Sequence, residues 1–197
     1  MRAVMSRVTS IQFRERWLVY FLLLLLHVAL MLSFFADHSP DTDAALTGFP
    51  LDDAWIHLVY GRAIAQTGLP CYNEGVLEAG FTSPLWMVFL ALAELIHAAL
   101  SLPVVIVVKI LGTLLAWISS LAVFELARRL SSSLSMALIA SVLAAANPAS
   151  VFAQMSGMEV ALTSALLVLT ILAFAFDRWR LSSILLGLSF LARPESI

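Results

Sequence analysis

Apolar residues in this chain seldom alternate with polar ones; they come in long runs, separated by clusters of arginine or by one broad polar interval. The first run, residues 17–35, holds nineteen residues broken only by His27 and Ser33. As a helix rising about 1.5 Å per residue it is long enough to cross a hydrocarbon core of roughly 30 Å. Further runs cover residues 84–100, 103–126, 134–146, 160–176 and 181–192. The pattern predicts an all-α integral membrane protein, a multi-span helical bundle.

Which runs cross is read from the arginines. If all do, Arg62, the pair Arg128 and Arg129, and the pair Arg178 and Arg180 end on the outer side, against the positive-inside rule. If residues 84–100 lie on the outer surface, the amino terminus and both pairs are cytoplasmic, eight of the eleven basic residues. That run also carries Glu94 and His97, and a carboxylate at mid-bilayer costs about 2.5 to 3.5 kcal/mol on insertion scales. The expected order is a cytoplasmic segment over residues 1–16 and a first span over 17–36. An outer loop over 37–102 follows, with juxtamembrane helices at 53–67 and 84–100, and four more spans lie within 103–197, about five in all. The turn from Gln154 to Glu159 and the segment Arg193-Pro194-Glu195 then share the outer face with the loop.

Composition agrees: 61% of the residues are hydrophobic and 12% charged, against roughly 25% charged in soluble domains. Arg2, Arg7, Arg14 and Arg16 precede the first run, as in a signal peptide, but its length and the absence of a small-x-small site at Phe34-Phe35-Ala36 favour an uncleaved anchor. A single cysteine, Cys71, excludes an intrachain disulfide and a thiolate metal cluster. No basic stripe marks a nucleic-acid surface. The net charge of −2 averages basic edges with an acidic loop.

Chemistry concentrates in that loop. Seven of the thirteen carboxylates (Asp37, Asp41, Asp43, Asp52, Asp53, Glu74 and Glu78) fall there, against one cation, Arg62. Pro50 stops whatever precedes it, and Asp52 or Asp53 stands where a helix N-cap would. Trp55, Ile56, Val59, Ala63 and Ile64 recur at helical spacing and Gly68 offers a stop, a short amphipathic helix lying on the membrane; His57 and Arg62, interleaved, could bind phosphate but are expected as solvated polar-face residues. A capping aspartate is either a structural cap or a carboxylate held by backbone donors and aimed at a substrate; like-charge repulsion from Asp53 would raise one of the two pKa values toward a useful base. Glu94 and His97, three apart, share a face and could approach a divalent cation, but no zinc spacing, phosphate loop or serine-hydrolase elbow is present, and no metal or cofactor is expected. Lys109 is expected to snorkel and His27 to bond between helices.

The order of residues Asp52-Asp53-Ala54-Trp55-Ile56, Tyr60-Gly61-Arg62, Gly68, Tyr72-Asn73 and Gly80-Phe81-Thr82-Ser83-Pro84-Leu85-Trp86 resembles the first outer loop of bacterial GT-C glycosyltransferases. It looks most like the arabinofuranosyltransferase branch, which uses a polyprenyl-phosphate sugar. Ser156-Gly157-Met158-Glu159 and Leu191-Ala192-Arg193-Pro194-Glu195 agree, so the resemblance spans residues 17–195, the amino-terminal part of such an enzyme. It implies a site on the periplasmic or extracellular face of the bacterial inner membrane. There Asp52 would act as general base with Asp53 second, Glu159 as a further outer acid, and Arg193 on the lipid phosphate. The acceptor would be a cell-envelope glycan, lipid or protein.

Because the leaving phosphate needs no proton, one carboxylate suffices, whereas glycosidases need two. Trp55, Tyr60, Phe81 and Trp86 would wall the sugar and prenyl chain, Trp55 and Trp86 equally fitting interfacial anchors. Val59 stands where relatives often have arginine, leaving the phosphate contact absent or shifted to Arg62. The lysine that the aminoarabinose transferase branch places near the proline of the second surface helix is missing at Thr82-Ser83-Pro84. The rival expectation is a helical membrane protein without enzymatic activity, non-catalytic or degenerate. A third, a small transporter, would require polar groups at mid-span. Ending three residues after Pro194, the chain reads as a truncated piece of something larger.

Overall fold

In a computed structural model, residues 2–37, 48–73, 75–78 and 80–194 are described. Asp41, Asp43, Glu74 and Glu195 fall outside them, as do the side chains of Arg2, Arg7, Arg14 and Asp37. The described residues form eight helices and no strand: α1 (Arg2–Asp37), α2 (Asp52–Thr67), α3 (Pro84–Leu100), α4 (Val104–Ser131), α5 (Leu134–Ala146), α6 (Pro148–Met155), α7 (Val160–Ala175) and α8 (Trp179–Ala192). Gly68 ends α2 in the left-handed region at φ +77°, its N–H bonded to Ile64 O. Pro84 opens α3 at the first helical position, where a missing N–H costs nothing.

Among the described residues two helical stretches are long and apolar enough to cross a membrane, Glu15–Ala36 and Val104–Ser131. Leu134–Ala146 and Pro148–Met155 add a third span only if taken as one helix bent by 54°. The break is local chemistry. Asn147 leaves the helix, its Oδ1 accepts from Ala149 N at 2.9 Å, and Pro148 starts the next turn. Residues 154 and 155, expected in a turn, therefore close α6. α7 and α8, both expected as spans, have 16 and 14 residues, about 24 and 21 Å at 1.5 Å per residue.

α4 is the axis of the bundle, packed against α1, α3, α5, α6 and α7. One apolar core joins α2, α3, α4, α7 and α8 through Leu58, Trp86, Leu90, Val108, Leu162 and Ala192. A second joins α1, α4 and α5 through Val19, Leu23, Phe124 and Ala137. Between helices, polar side chains pair: the His27 ring bridges Gln154 Oε1 at 3.1 Å and Ser120 Oγ at 2.9 Å, tying α1, α4 and α6. Lys109 is buried rather than snorkelling, its ammonium 5.1 Å from the Phe35 ring centre and 5.6 Å from that of Phe34.

The bundle has two chemically different ends. At one, Arg16 on α1 pairs with Glu125 on α4, and Arg129 at the end of α4 lies over the Phe176 ring at the end of α7. α4 and α7 thus finish together, beside Arg128, Arg178 and Arg180. α8 returns antiparallel to α7, with Ser182 Oγ donating to Thr170 O, and carries Arg193 back to Glu159 at the start of α7. Both ends of α3 lie at this second, acidic end: Trp86 bonds the Gly157 carbonyl, and His97 meets the Leu102 carbonyl just before α4.

α2 leaves its apolar stripe outward, as a helix lying on a membrane would, and buries another face. Trp55 and Ile56 are exposed, whereas Ala54, His57, Leu58, Tyr60 and Gly61 are buried. Small residues win because they allow backbones to approach, as at helix interfaces within lipid. A Cβ at Gly61 would lie 2.5 Å from Leu90 Cβ and 3.1 Å from the Leu90 carbonyl carbon. No larger residue fits there without α2 and α3 separating.

Candidate functional site

The first turn of α2 sets the two aspartates. Leu51, extended at φ −125° and ψ 134°, is the N-cap, and Asp52 and Asp53 are the first two helical residues. Neither caps the helix, contrary to the expectation, and neither makes a hydrogen bond or ion pair with a described residue. Both are exposed, favoured there by the positive end of the helix dipole.

One turn later on the same face as Asp53 stands His57, expected in solvent but only 7% exposed. Its Nε2 lies 3.8 Å from Glu159 Oε2. Burial lowers the imidazole pKa below its ordinary value, and the carboxylates of Glu159 and Asp53 only partly oppose that shift. The ring is therefore neutral near pH 7.

Glu159, 5% exposed, precedes α7 without capping it. Its Oε1 lies 3.8 Å from Arg193 Nη1, a side chain that reaches in from a half-exposed position. Both ion pairs exceed hydrogen-bond length. Two buried atoms in this group, Glu159 Oε2 and His57 Nδ1, have no hydrogen-bond partner.

The loop bearing Glu159 is fixed from two sides. Trp86, 1% exposed, donates its indole N–H to Gly157 O at 3.0 Å. Gly157 has φ +76°, and the Phe49 ring occupies the space a side chain would need, 2.6 Å from an ideal Cβ. Phe49 in turn meets Trp55 at 5.0 Å between ring centres. Residues from α2, α3, the 156–159 turn and the end of α8 are thus brought together at one end of the bundle.

Other expected binding residues are engaged in packing. Tyr60 is 2% exposed between the rings of Tyr72 and Phe81, at 5.7 and 5.4 Å, where it pins the loop after α2. Arg62 Nε donates to Glu94 Oε1 at 2.9 Å, a strut from α2 to α3. A groove of about 390 Å³ runs between α2 and the loop, lined by Val59, Arg62, Gln66, Cys71, Tyr72 and Leu77 among others. Among the described residues no three His, Cys, Asp or Glu side chains gather to hold a metal ion. Glu94 turns to Arg62, and His97 to Leu102.

No family model, no curated protein and no solved structure matches this chain.

For His57 the sequence allows phosphate binding or a solvated polar face and favours the latter; its burial beside Glu159 is what sequence reasoning missed. Its signal was present: Ala54, His57, Leu58 and Gly61 recur at helical spacing, a small-residue stripe of the kind that packs inside a membrane protein.

Proposed function

We propose that this chain carries the site of a glycosyltransferase that moves a sugar from a polyprenyl-phosphate donor onto a hydroxyl of a cell-envelope glycan, lipid or protein. The observation that supports it is the gathering, at one end, of two exposed carboxylates on α2 with the buried Glu159 and His57 and the half-exposed Arg193. The arginines of the opposite end make that end cytoplasmic by the positive-inside rule. The acidic end then faces the periplasm or cell exterior, with five crossings and α3 at the interface rather than across it.

In this reading the acceptor oxygen attacks the anomeric carbon, its proton passes to Asp52 or Asp53, and the C1–O bond to phosphate breaks with its electron pair on the phosphate oxygen. The leaving phosphate needs no proton, so a single base serves. Arg193 offsets its charge, and the exposed apolar helix faces lie in lipid beside the prenyl chain.

The test is transfer of labelled sugar from polyprenyl-phosphate donors by membranes carrying the intact gene product. Asp52→Asn and Asp53→Asn are each made alone. Loss of about 10²- to 10⁴-fold in one of them identifies the base. Native transfer by both variants sinks the catalytic assignment. A second reading, a membrane protein without enzymatic activity, is favoured by the engagement of Tyr60, Arg62 and Trp86 in packing. It requires that no donor be turned over by the wild-type protein.

A further inference from the structure

We propose that Glu159 and His57 form a subsite for a sugar hydroxyl, with Arg193 beside it for an adjacent anionic oxygen, so that the three side chains together take the head of a phosphosugar. The identity of the ligand rests on the glycosyl-transfer reading; the site itself rests on two buried polar groups that do not satisfy each other.

Glu159 Oε2 and His57 Nε2 are 3.8 Å apart, too far for a hydrogen bond. A single oxygen placed off the line between them can stand about 2.8 Å from both. Oε2 is buried without a hydrogen-bond partner, a condition that costs about 1 to 3 kcal/mol when nothing fills the gap; the other ring nitrogen, Nδ1, is also unpartnered but is not the one that faces Glu159.

The chemistry of these three side chains selects the ligand. An anion alone would meet the Glu159 carboxylate, and a metal cation would find two ligands and Arg193 facing it. A hydroxyl meets both demands, donating to the carboxylate and accepting from a neutral imidazole N–H. The charged groups facing His57 are Asp53 on its own helix and Glu159 at the start of α7. Arg193, at the end of α8, reaches the other oxygen of Glu159. A ligand carrying a hydroxyl and an anionic oxygen a few ångströms apart uses all three side chains, and a phosphosugar head has that pattern.

The experiment places the full chain, with ¹⁵N-labelled histidine, in lipid nanodiscs, with the His57 ring signals assigned by their loss in His57→Gln. Glucose 1-phosphate, mannose 1-phosphate and ribose 1-phosphate are titrated in turn, alongside inorganic phosphate and the free sugars. A saturable shift of the His57 signals by at least one sugar phosphate is expected, weakened tenfold or more in Glu159→Gln and less in Glu159→Asp. Circular dichroism checks that both variants keep their helices. Absence of any shift, an equal shift with inorganic phosphate, or an unchanged titration in Glu159→Gln overturns the subsite and leaves only water there. If His57 responds while the Asp52 and Asp53 variants transfer normally, the catalytic assignment falls and the subsite stands. If transfer depends on an aspartate but His57 is silent, the reverse holds.

Discussion

Charges at the two ends of the bundle are treated in opposite ways. At the basic end Glu125 receives both the Arg16 guanidinium and the Tyr20 hydroxyl, so its two oxygens are occupied. At the acidic end Glu159 is buried more deeply, yet its partners stay at 3.8 Å and one oxygen has none. A carboxylate closed by its neighbours ties α1 to α4; a carboxylate left open within a packed wall is suited to a ligand. The difference is what the proposed subsite rests on.

The wall itself gives the largest expected effect. Leucine at Gly61 must displace Leu90 and its backbone, so α2 would lift from α3. Gly61→Leu is expected to destabilise the protein by about 3 kcal/mol, the upper range for overpacking. A fall in the thermal midpoint of the purified protein in detergent checks it, and an unchanged midpoint would show that the contact yields. Glu125→Ala, at the basic end, comes next. It removes two hydrogen bonds but leaves Arg16 half in solvent, so a loss of about 1 to 2 kcal/mol is expected. Equal stability of this variant and wild type would abolish the contrast between the ends.

A smaller effect separates them by pH. Burial lowers the His57 pKa from 6.5, so the unfolded chain binds a proton more readily than the folded one. The resulting stabilisation is complete above about 6.5 and is lost as pH falls through the folded value. Unfolding midpoints should drop between pH 7 and pH 5, and His57→Gln should flatten that part of the profile. A profile of the same slope in the variant would assign the pH dependence elsewhere.

Much of this architecture is legible in the chain. Helix α3 runs over Pro84–Leu100 as its apolar run predicts, and Gly68 stops α2 where expected. Arginine placement brings Glu159 and Arg193 together from distant segments. What fails to read in α2 is the face opposite the apolar stripe: expected in solvent, it packs its small residues against α3. Taking His57 as a solvated polar-face residue overlooked that Ala54, Leu58 and Gly61 around it form the buried face. The short helix α6 was lost for a different reason, since Asn147-Pro148 both ends one helix and starts the next, and length alone resembles a turn.

The smallest expected change in stability is at Glu159 itself, and it bears most directly on the contrast. Removing one partner of a buried ion pair ordinarily costs several kcal/mol, because the other charge is stranded. Here Arg193 is half-exposed and can be solvated, His57 is neutral, and Oε2 has no donor to lose. Glu159→Gln keeps the volume and relieves an unpaired buried oxygen of its charge, so a stability within about 0.5 kcal/mol of wild type is expected. Chemical denaturation in mixed micelles measures it, with Glu125→Ala run beside it. A loss at Glu159 as large as that at Glu125 would mean that the acidic end, like the basic one, is held together by its charges.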